Sequence, residues 1–295
     1  MRVLNKPHRV EIMLSIISVF IGILFFPRDV LAWGPVAHID FSLQLLAGAA
    51  ALAPTINRLI QKHHADFIYG SLAADSVVGK NFAPELSHCH SWSVAHELLA
   101  DAQRYGERCE AFIRGYFSHL GADVVAHNHF VPERLVAHYR AKGVGHLYWE
   151  ARFDQRLLKY DAKVRDAWRD LSKLSFSEHD RFLAERLKPT LFSHRLSTSL
   201  YRRSLGVQRK MPWRGTLSRI DSRSKLPLCS SEVERWRVVS VAMAAMALNK
   251  PTHDGLRRLD PVGRVALEGA LSHRRILRRR HPGWNGNVWA AIRRK

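Results

Sequence analysis

The sequence predicts an all-α protein, a compact bundle of several helices, for two reasons. Apolar residues recur at helical spacing in several long segments after Trp33. No run of alternating Val, Ile and Thr, which would indicate a β-strand, occurs in the chain. The 295 residues are enough for one large domain or two small ones with a sizeable core.

The first 32 residues are typical of an export signal. A basic start with three Lys or Arg residues precedes 15 apolar or small residues from Ile12 to Phe26. This run is shorter than the roughly 20 residues that a membrane span needs. Val30 and Ala32 suit the −3 and −1 positions of a cleavage site. We therefore expect a signal peptide cut before Trp33 and a secreted or periplasmic protein; the alternative is an uncleaved membrane anchor.

The helical pattern then continues along the chain. Its main segments are residues 39–60, 93–106, 111–130, 182–197 and 232–250. The third segment is mostly apolar, which predicts a helix buried nearly all round. Pro189 interrupts the fourth. We expect one helical domain over residues 33–200.

Positive charge is concentrated in residues 201–295. This region holds 22 of the 46 Lys and Arg residues but only 6 of the 26 Asp and Glu residues. Residues 208–231 lack an apolar period and are typical of a loop or linker. The end, residues 272–295, interleaves basic residues with tryptophans and suits an anionic partner: a phospholipid surface, an envelope polymer or a nucleic acid. The alternative for this tail is that it is merely solvated. Residues 201–295 as a whole either continue the helical domain or are appended to it.

Cysteine and histidine counts point away from a disulfide scaffold and towards metal. Cys89, Cys109 and Cys229 allow at most one disulfide within the chain. The 17 histidines are many for a chain of this length. Core packing and, in addition, metal sites are therefore expected to hold the fold.

Three potential metal ligands lie four residues apart in the third helical segment. His119, Asp123 and His127 stand at positions i, i+4 and i+8, so they share one helix face, and apolar neighbours turn that face inward. A single histidine there is more often a satisfied core residue. Three aligned donors would each need a buried partner of their own. Zinc accepts imidazole nitrogen and carboxylate oxygen, so the stripe favours a zinc site.

Further candidates flank this stripe. His146 and Glu150 form a second i, i+4 pair on the next amphipathic helix. His129 lies where the helix begins to break, and it is an alternative to His127 or a ligand of a neighbouring ion. The weaker upstream candidates, each as easily structural as functional, are His38, Asp75, His88, Cys89 and His90.

The order of these motifs resembles the zinc-dependent phospholipase C family, a helical fold whose site holds up to three zinc ions. The shared pieces are AWGPVAH, GSLAAD, HCHSW, GYFSHLGADVVAHNHF and HLYWE, from Trp33 to about Glu150. The resemblance implies that Trp33, through its amine and carbonyl after cleavage, is a ligand. It also implies Asp75 as the group that orients or deprotonates the attacking water. The remaining implied ligands are His38, Asp75, His90, His119, Asp123, His127, His146 and Glu150.

Two departures from the family pattern bear on the site. A histidine follows Asp123 after four residues, as in the branch similar to glycosylphosphatidylinositol-specific phospholipase D. Secreted bacterial phospholipases C and the related fungal nucleases have an interval of six, which would select His129. We favour His127 because i+4 spacing needs no helix distortion. Ser76 stands where choline-preferring members have an aromatic residue, so choline selectivity is not implied.

The resemblance implies a secreted or periplasmic zinc phosphodiester hydrolase, similar to phospholipase C, that acts on phospholipid headgroups with two or three zinc ions. The basic C-terminal region would hold it on anionic lipid. One alternative is a single-strand nuclease, for which Tyr148 and Trp149 would stack on bases. Another is a non-catalytic, zinc-stabilised envelope protein, although nine candidate ligands exceed what one structural zinc needs.

Overall fold

The computed structural model of the chain describes residues 33–48, 51–76, 89–141, 145–160, 162–187, 196–199, 201–202, 222 and 224–281. The expected signal peptide, His88, Pro189, most of the expected linker and the last 14 residues lie outside the described residues. Among the residues described, no helix is both long and apolar enough to cross a membrane.

The predicted all-α fold class is confirmed, since the described ranges contain helices and no β-strand. The α-helices are α1 (Pro35–Ala47), α2 (Pro54–Lys62), α3 (His64–Ala73), α4 (Trp92–Tyr105), α5 (Glu107–Val125), α6 (Val131–Ala137), α7 (His146–Tyr160), α8 (Ala162–Leu171), α9 (Ser177–Arg186), α10 (Ser230–Asn249), α11 (Asp254–Arg257) and α12 (Arg264–Arg280). A 3-10 turn, Ala74–Ser76, follows α3, and a π-helical turn, Ala126–Phe130, joins α5 to α6.

Local sequence explains where several helices begin. Pro35 and Pro54 occupy the first position of α1 and α2, where the missing N–H of proline costs no hydrogen bond. The segment with helical spacing over residues 39–60 is divided between α1 and α2, because Pro54 starts a new helix. At α10, the Glu232 carboxylate accepts the Cys229 N–H at 3.1 Å and caps the first turn.

Helix α5 forms the centre of the bundle, and the predicted burial of this helix is confirmed. Its side chains are buried from Ala111 to Val125 with the exception of Arg114. Helices α3, α4 and α10 pack around it. Glycines let α3 approach closely: a Cβ on Gly115 would lie 2.0 Å from the carbonyl oxygen of Phe67. This close crossing brings the α3 backbone beside the ligand stripe of α5.

The C-terminal helices pack on the same bundle. Trp236 of α10 contacts Phe130 with ring centroids 5.8 Å apart. Arg237 donates two hydrogen bonds, of 2.7 and 2.6 Å, to the buried carboxylate of Asp40 in α1. Helix α12 lies against α6 and the π-helical turn. The described part of residues 201–295 is therefore joined to the helices that carry the candidate ligands.

Candidate metal centre

The candidate ligands come from five separate places in the chain and meet inside the bundle. Helix α1 supplies His38, the 3-10 turn supplies Asp75, and His90 lies just before α4. Helix α5 and the π-helical turn supply the stripe, and α7 supplies the last pair. Each side chain in this set is buried, with at most 6% of its surface exposed: His38, Asp75, His90, His119, Asp123, His127, His146 and Glu150.

One group of ligand atoms is formed by His38, His119 and Asp123. Nε2 of His38 lies 3.3 Å from Oδ1 of Asp123, and Nε2 of His119 lies 3.0 Å from Oδ2. The two imidazole rings stack with centroids 4.0 Å apart. The ligand atoms of all three residues lie within 4.8 Å of one another, which is close enough to share one ion.

A second group is formed by Asp75, His90 and His119. Nε2 of His90 lies 3.3 Å from Oδ1 of Asp75 and 3.0 Å from Nε2 of His119. The same His90 nitrogen is 3.3 Å from Oδ2 of Asp123. His119 thus belongs to both groups, and Asp123 faces both. The arrangement offers two adjacent positions for ions with ligands in common.

Outer contacts fix the orientation of two of these imidazoles. Nδ1 of His119 lies 2.8 Å from the carbonyl oxygen of Ser71, which can only accept, so Nδ1 carries the proton. The lone pair of the neutral ring is then on Nε2, which faces the carboxylates. Nδ1 of His90 contacts the Cys89 thiol at 3.3 Å. Such contacts on the far ring nitrogen orient histidines that bind metals.

The protonation states suit a cation. Burial lowers the pKa of His38, and the neighbouring His119 lowers it further, which favours the neutral ring. Burial alone would raise the pKa of Asp123, but the three facing imidazoles hold it well below its usual range. A carboxylate and neutral imidazoles are the forms in which these groups bind zinc.

Unsatisfied polar atoms test whether an ion fits here. Among the described residues, Nε2 of His38 and both carboxylate oxygens of Asp123 are buried yet have no hydrogen-bond partner of good geometry. Buried polar atoms without such a partner are costly. A zinc ion between these nitrogen and oxygen donors would satisfy them, and the donor set matches its preference. The residues therefore fit the metal.

A third group lies at the end of the α5 stripe. Nε2 of His146 is 3.1 Å from Oε1 of Glu150, and the rings of His127 and His146 pack edge to face with centroids 4.8 Å apart. His129 is exposed. His127 is therefore the histidine that the structure brings to the other two residues. The reason we gave for it was wrong, because the chain does distort here: His127 lies within the π-helical turn.

Trp33 lies beside the site. Its indole is buried, and Nε1 donates to the carbonyl oxygen of Ala122, the neighbour of Asp123, at 2.9 Å. Its ring packs against Phe130 and Phe153 at centroid distances of 4.7 and 4.3 Å. The indole thus anchors the start of the described chain next to the ligand stripe.

Asp154 is a residue that the sequence analysis missed. Its buried carboxylate accepts the N–H groups of Val36 and Ala37, at 3.2 and 3.0 Å, at the start of α1. Burial raises the pKa of Asp154 to about 7, against the two backbone N–H groups that lower it, and Asp40 adds to the rise. It stands four residues after Glu150, so continuing the i, i+4 series along α7 would have found it.

The aromatic clamp considered for a nuclease is not available in full. Trp149 is completely buried, and its ring stacks on His138 with centroids 5.0 Å apart. Tyr148 is partly buried, with its hydroxyl hydrogen-bonded to the Ser224 hydroxyl. Trp149 is therefore a core residue and cannot stack on a base.

The fold and the site together define an all-helical protein with a buried cluster of histidines and carboxylates suited to metal. The family model for zinc dependent phospholipase C matches residues 37–197, more than half of the chain, and the protein belongs to that family. The match includes every candidate ligand except Trp33. No curated protein and no solved structure matches the chain in the corresponding comparisons.

Proposed function

We propose that this protein is a secreted or periplasmic zinc phosphodiesterase of the phospholipase C type, acting on phospholipid headgroups. The observation that carries the proposal is the meeting of His38, Asp75, His90, His119 and Asp123 in two adjacent groups of ligand atoms. Family membership supports a zinc-dependent hydrolase. A single structural zinc would need only four ligands, fewer than are gathered here.

The proposed chemistry is hydrolysis of a phosphodiester. Bound zinc would act as a Lewis acid and would lower the pKa of a water molecule at the site towards neutral pH. Asp75 is the proposed group that orients this water or takes its proton, since its carboxylate lies at the second group beside His90 and His119. Asp123, His38, His90 and His119 would hold the first two ions. His127, His146 and Glu150 would hold a third.

The basic C-terminal region is the proposed contact with anionic lipid. Helix α12 exposes Arg275, Arg278, Arg279 and Arg280 to solvent. Val265 and Ile276 are also exposed on this helix, at 84% and 44% of their surface. A basic helix with exposed apolar side chains suits the surface of an anionic membrane.

Export is part of the proposal, and it bears on the chemistry. Cleavage before Trp33 would free an α-amine at the residue whose indole already donates to the carbonyl oxygen of Ala122, the residue before Asp123. That amine is the implied additional zinc ligand. Only the exported and cleaved protein would carry this ligand.

The test begins with zinc content and the N-terminal sequence of the exported protein, purified without chelators. We expect two or three zinc ions per chain and a start at Trp33. Hydrolysis is then measured on phosphatidylcholine, phosphatidylethanolamine and phosphatidylglycerol vesicles and on single-stranded DNA. Release of phosphorylated headgroup that stops with chelator and returns with zinc would support the proposal.

Variants separate the alternatives. Asp75→Asn should lower the rate at least about 100-fold and weaken the ion of the second group, to which Asp75 belongs, while the ion at His38, His119 and Asp123 is retained. Asp166→Asn, an exposed carboxylate on α8, is the control and should have the wild-type rate. Cleavage of DNA but not of lipid would favour the nuclease. One tightly held ion with no hydrolysis of either substrate would favour the zinc-stabilised envelope protein and overturn the proposal.

A further inference from the structure

The loop from Asp260 to Gly263, which lies beyond the family match, touches the turn that carries His127. We propose that this loop selects His127 as the inward-facing histidine, with Asn128 and Gly263 as positioning residues for the third ligand group. The inference rests on the proposed zinc centre. It adds that a segment of the C-terminal region is required for one particular ion.

Gly263 is in direct contact with His127. A Cβ on Gly263 would lie 2.4 Å from Cβ of His127 and 2.7 Å from its backbone carbon and oxygen. The φ angle of Gly263 is +63°, in the left-handed region that favours glycine. Any other residue would therefore strain the loop and push against the His127 backbone. Because glycine has no Cβ, the loop can pack directly against the π-helical turn.

Asn128 ties the turn to the loop by hydrogen bonds. Its Nδ2 donates to the carbonyl oxygen of Asp260 at 2.8 Å and to that of Val124 at 2.9 Å. The Asp260 carboxylate accepts the N–H groups of Val262 and Arg264, at 2.8 and 3.0 Å. The loop is thus ordered by its own aspartate while it holds the residue next to His127.

The preceding segment is held from the other side by α4. Nε1 of Trp92 donates to the carbonyl oxygen of Leu259 at 2.9 Å. Nε2 of His96 lies 3.0 Å from the carbonyl oxygen of Pro251. The loop is therefore anchored on a helix that begins two residues after the candidate ligand His90. Because α4 holds this segment in place, the loop has a defined position against the π-helical turn.

The position of the loop determines which of two histidines, His127 or His129, faces the interior. In the π-helical turn His127 is buried, whereas His129 is exposed. A π turn has one residue more than an α-helical turn, so its loss would rotate the following residues about the helix axis. Without the loop, the turn would be free to relax, and His127 would no longer be fixed towards His146.

The experiment compares the zinc content of the full-length protein with that of Gly263→Ala and Asn128→Ala. We expect each variant to lose the ion held by His127, His146 and Glu150, with its affinity lowered at least about tenfold, while the other ions remain. Gly269→Ala, on the exposed face of α12 where a Cβ meets nothing within 4 Å, is the matched control and should bind as wild type. Cobalt substitution adds an absorption spectrum for each position.

His146→Ala provides the reference for the third ion. Gly263→Ala and His146→Ala should remove the same cobalt band, and the double variant should lose no more than either. Full zinc affinity in both Gly263→Ala and Asn128→Ala overturns the inference. So does a His146→Ala variant that keeps every ion. Wild-type protein that binds no zinc would overturn the proposed function instead. If Gly263→Ala does not fold, Asn128→Ala, which removes only two hydrogen bonds, decides the question.

Discussion

Asp123 is the residue on which the candidate centre depends most. It is fully buried, and imidazole nitrogens of His38, His90 and His119 approach its two oxygens at 3.0 to 3.3 Å. Its position on α5 also places it midway between the two ends of the stripe. One carboxylate therefore faces both groups of ligand atoms. Its negative charge would offset the repulsion between two adjacent cations.

Replacing Asp123 by asparagine should abolish zinc binding at both groups. The amide keeps the shape of the side chain but removes the negative charge, so we expect zinc affinity to fall by more than about 100-fold. Competition with a chelating dye measures this affinity. Asp166→Asn, the surface control, should bind zinc as wild type does. An Asp123→Asn variant with full zinc content would exclude Asp123 as a shared ligand.

His138 should make the protein sensitive to acid. Burial, together with the nearby Arg134, Arg152 and Arg274, lowers its pKa to about 4, while Glu232 acts in the opposite direction. In the unfolded chain its pKa would be about 6.5. Between these values the unfolded state binds a proton that the native state does not, so stability falls as pH falls from about 6.5 to 4.

His138→Phe should remove this sensitivity. The phenyl ring can keep the stacking on Trp149 but cannot bind a proton. We expect the variant to lose about 1 kcal/mol less stability than wild type between pH 7 and pH 5. Urea denaturation of both metal-free proteins at the two pH values measures the difference. Equal losses in wild type and variant would show that His138 titrates normally.

The residue types and spacing identified the side chains that the structure gathers, because i, i+4 spacing fixes a shared helix face in any helix. The outer contacts were not predictable in this way. Ser71 and Asp260 contribute backbone carbonyl oxygens, which every residue has, so no side-chain pattern marks them. Their positions follow only from the packing of distant segments.

Among the elements, the π-helical turn is the feature that helical periodicity could not predict. Residues 111–130 have one continuous apolar pattern, yet the structure divides them between α5 and the turn. The loop before α12 packs on the turn, and the proposed role of this loop would explain the change of helix type. The existence and type of the helices could be predicted from local sequence, whereas contacts between distant segments could not.

Asp154 joins α7 to the start of α1, and both helices carry candidate ligands. Asp154→Leu should leave the N–H groups of Val36 and Ala37 buried without an acceptor, which costs about 2 to 4 kcal/mol. Asp154→Asn keeps an acceptor oxygen and should cost about 1 kcal/mol. Denaturation of the metal-free proteins gives both values. Equal effects of leucine and asparagine would show that the two hydrogen bonds contribute little.

At the scale of the whole molecule, the family match ends at residue 197, whereas the helical bundle includes helices beyond that residue. Residues 37–197 match, yet α10 packs on α5, and Arg237 of α10 binds Asp40 of α1. The concentration of positive charge predicted only an anionic partner for residues 201–295. It did not predict that helices of this region would cover the ligand-bearing helix, because packing against α5 depends on the apolar face of α10 rather than on charge.

Removal of zinc should destabilise the protein as a whole, because the ligands come from five places along the chain. Binding at about 1,000 times Kd stabilises the native state by about 4 kcal/mol. For a protein of this size we expect chelation to lower Tm by about 10 °C. Thermal unfolding with and without chelator measures the shift, and added zinc should restore Tm. An unchanged Tm after the metal has been removed would mean that the ions do not link these segments.

The rates at which the three cysteines react with a thiol reagent can report local opening of the protein. Cys229 is exposed at the start of α10, whereas Cys89 and Cys109 are buried and none forms a disulfide. A thiol reagent should therefore label one cysteine rapidly in the native protein and the other two only as it opens. Because the Cys89 thiol contacts His90, its labelling rate reports how often the metal-binding interior is exposed to solvent, without any engineered probe.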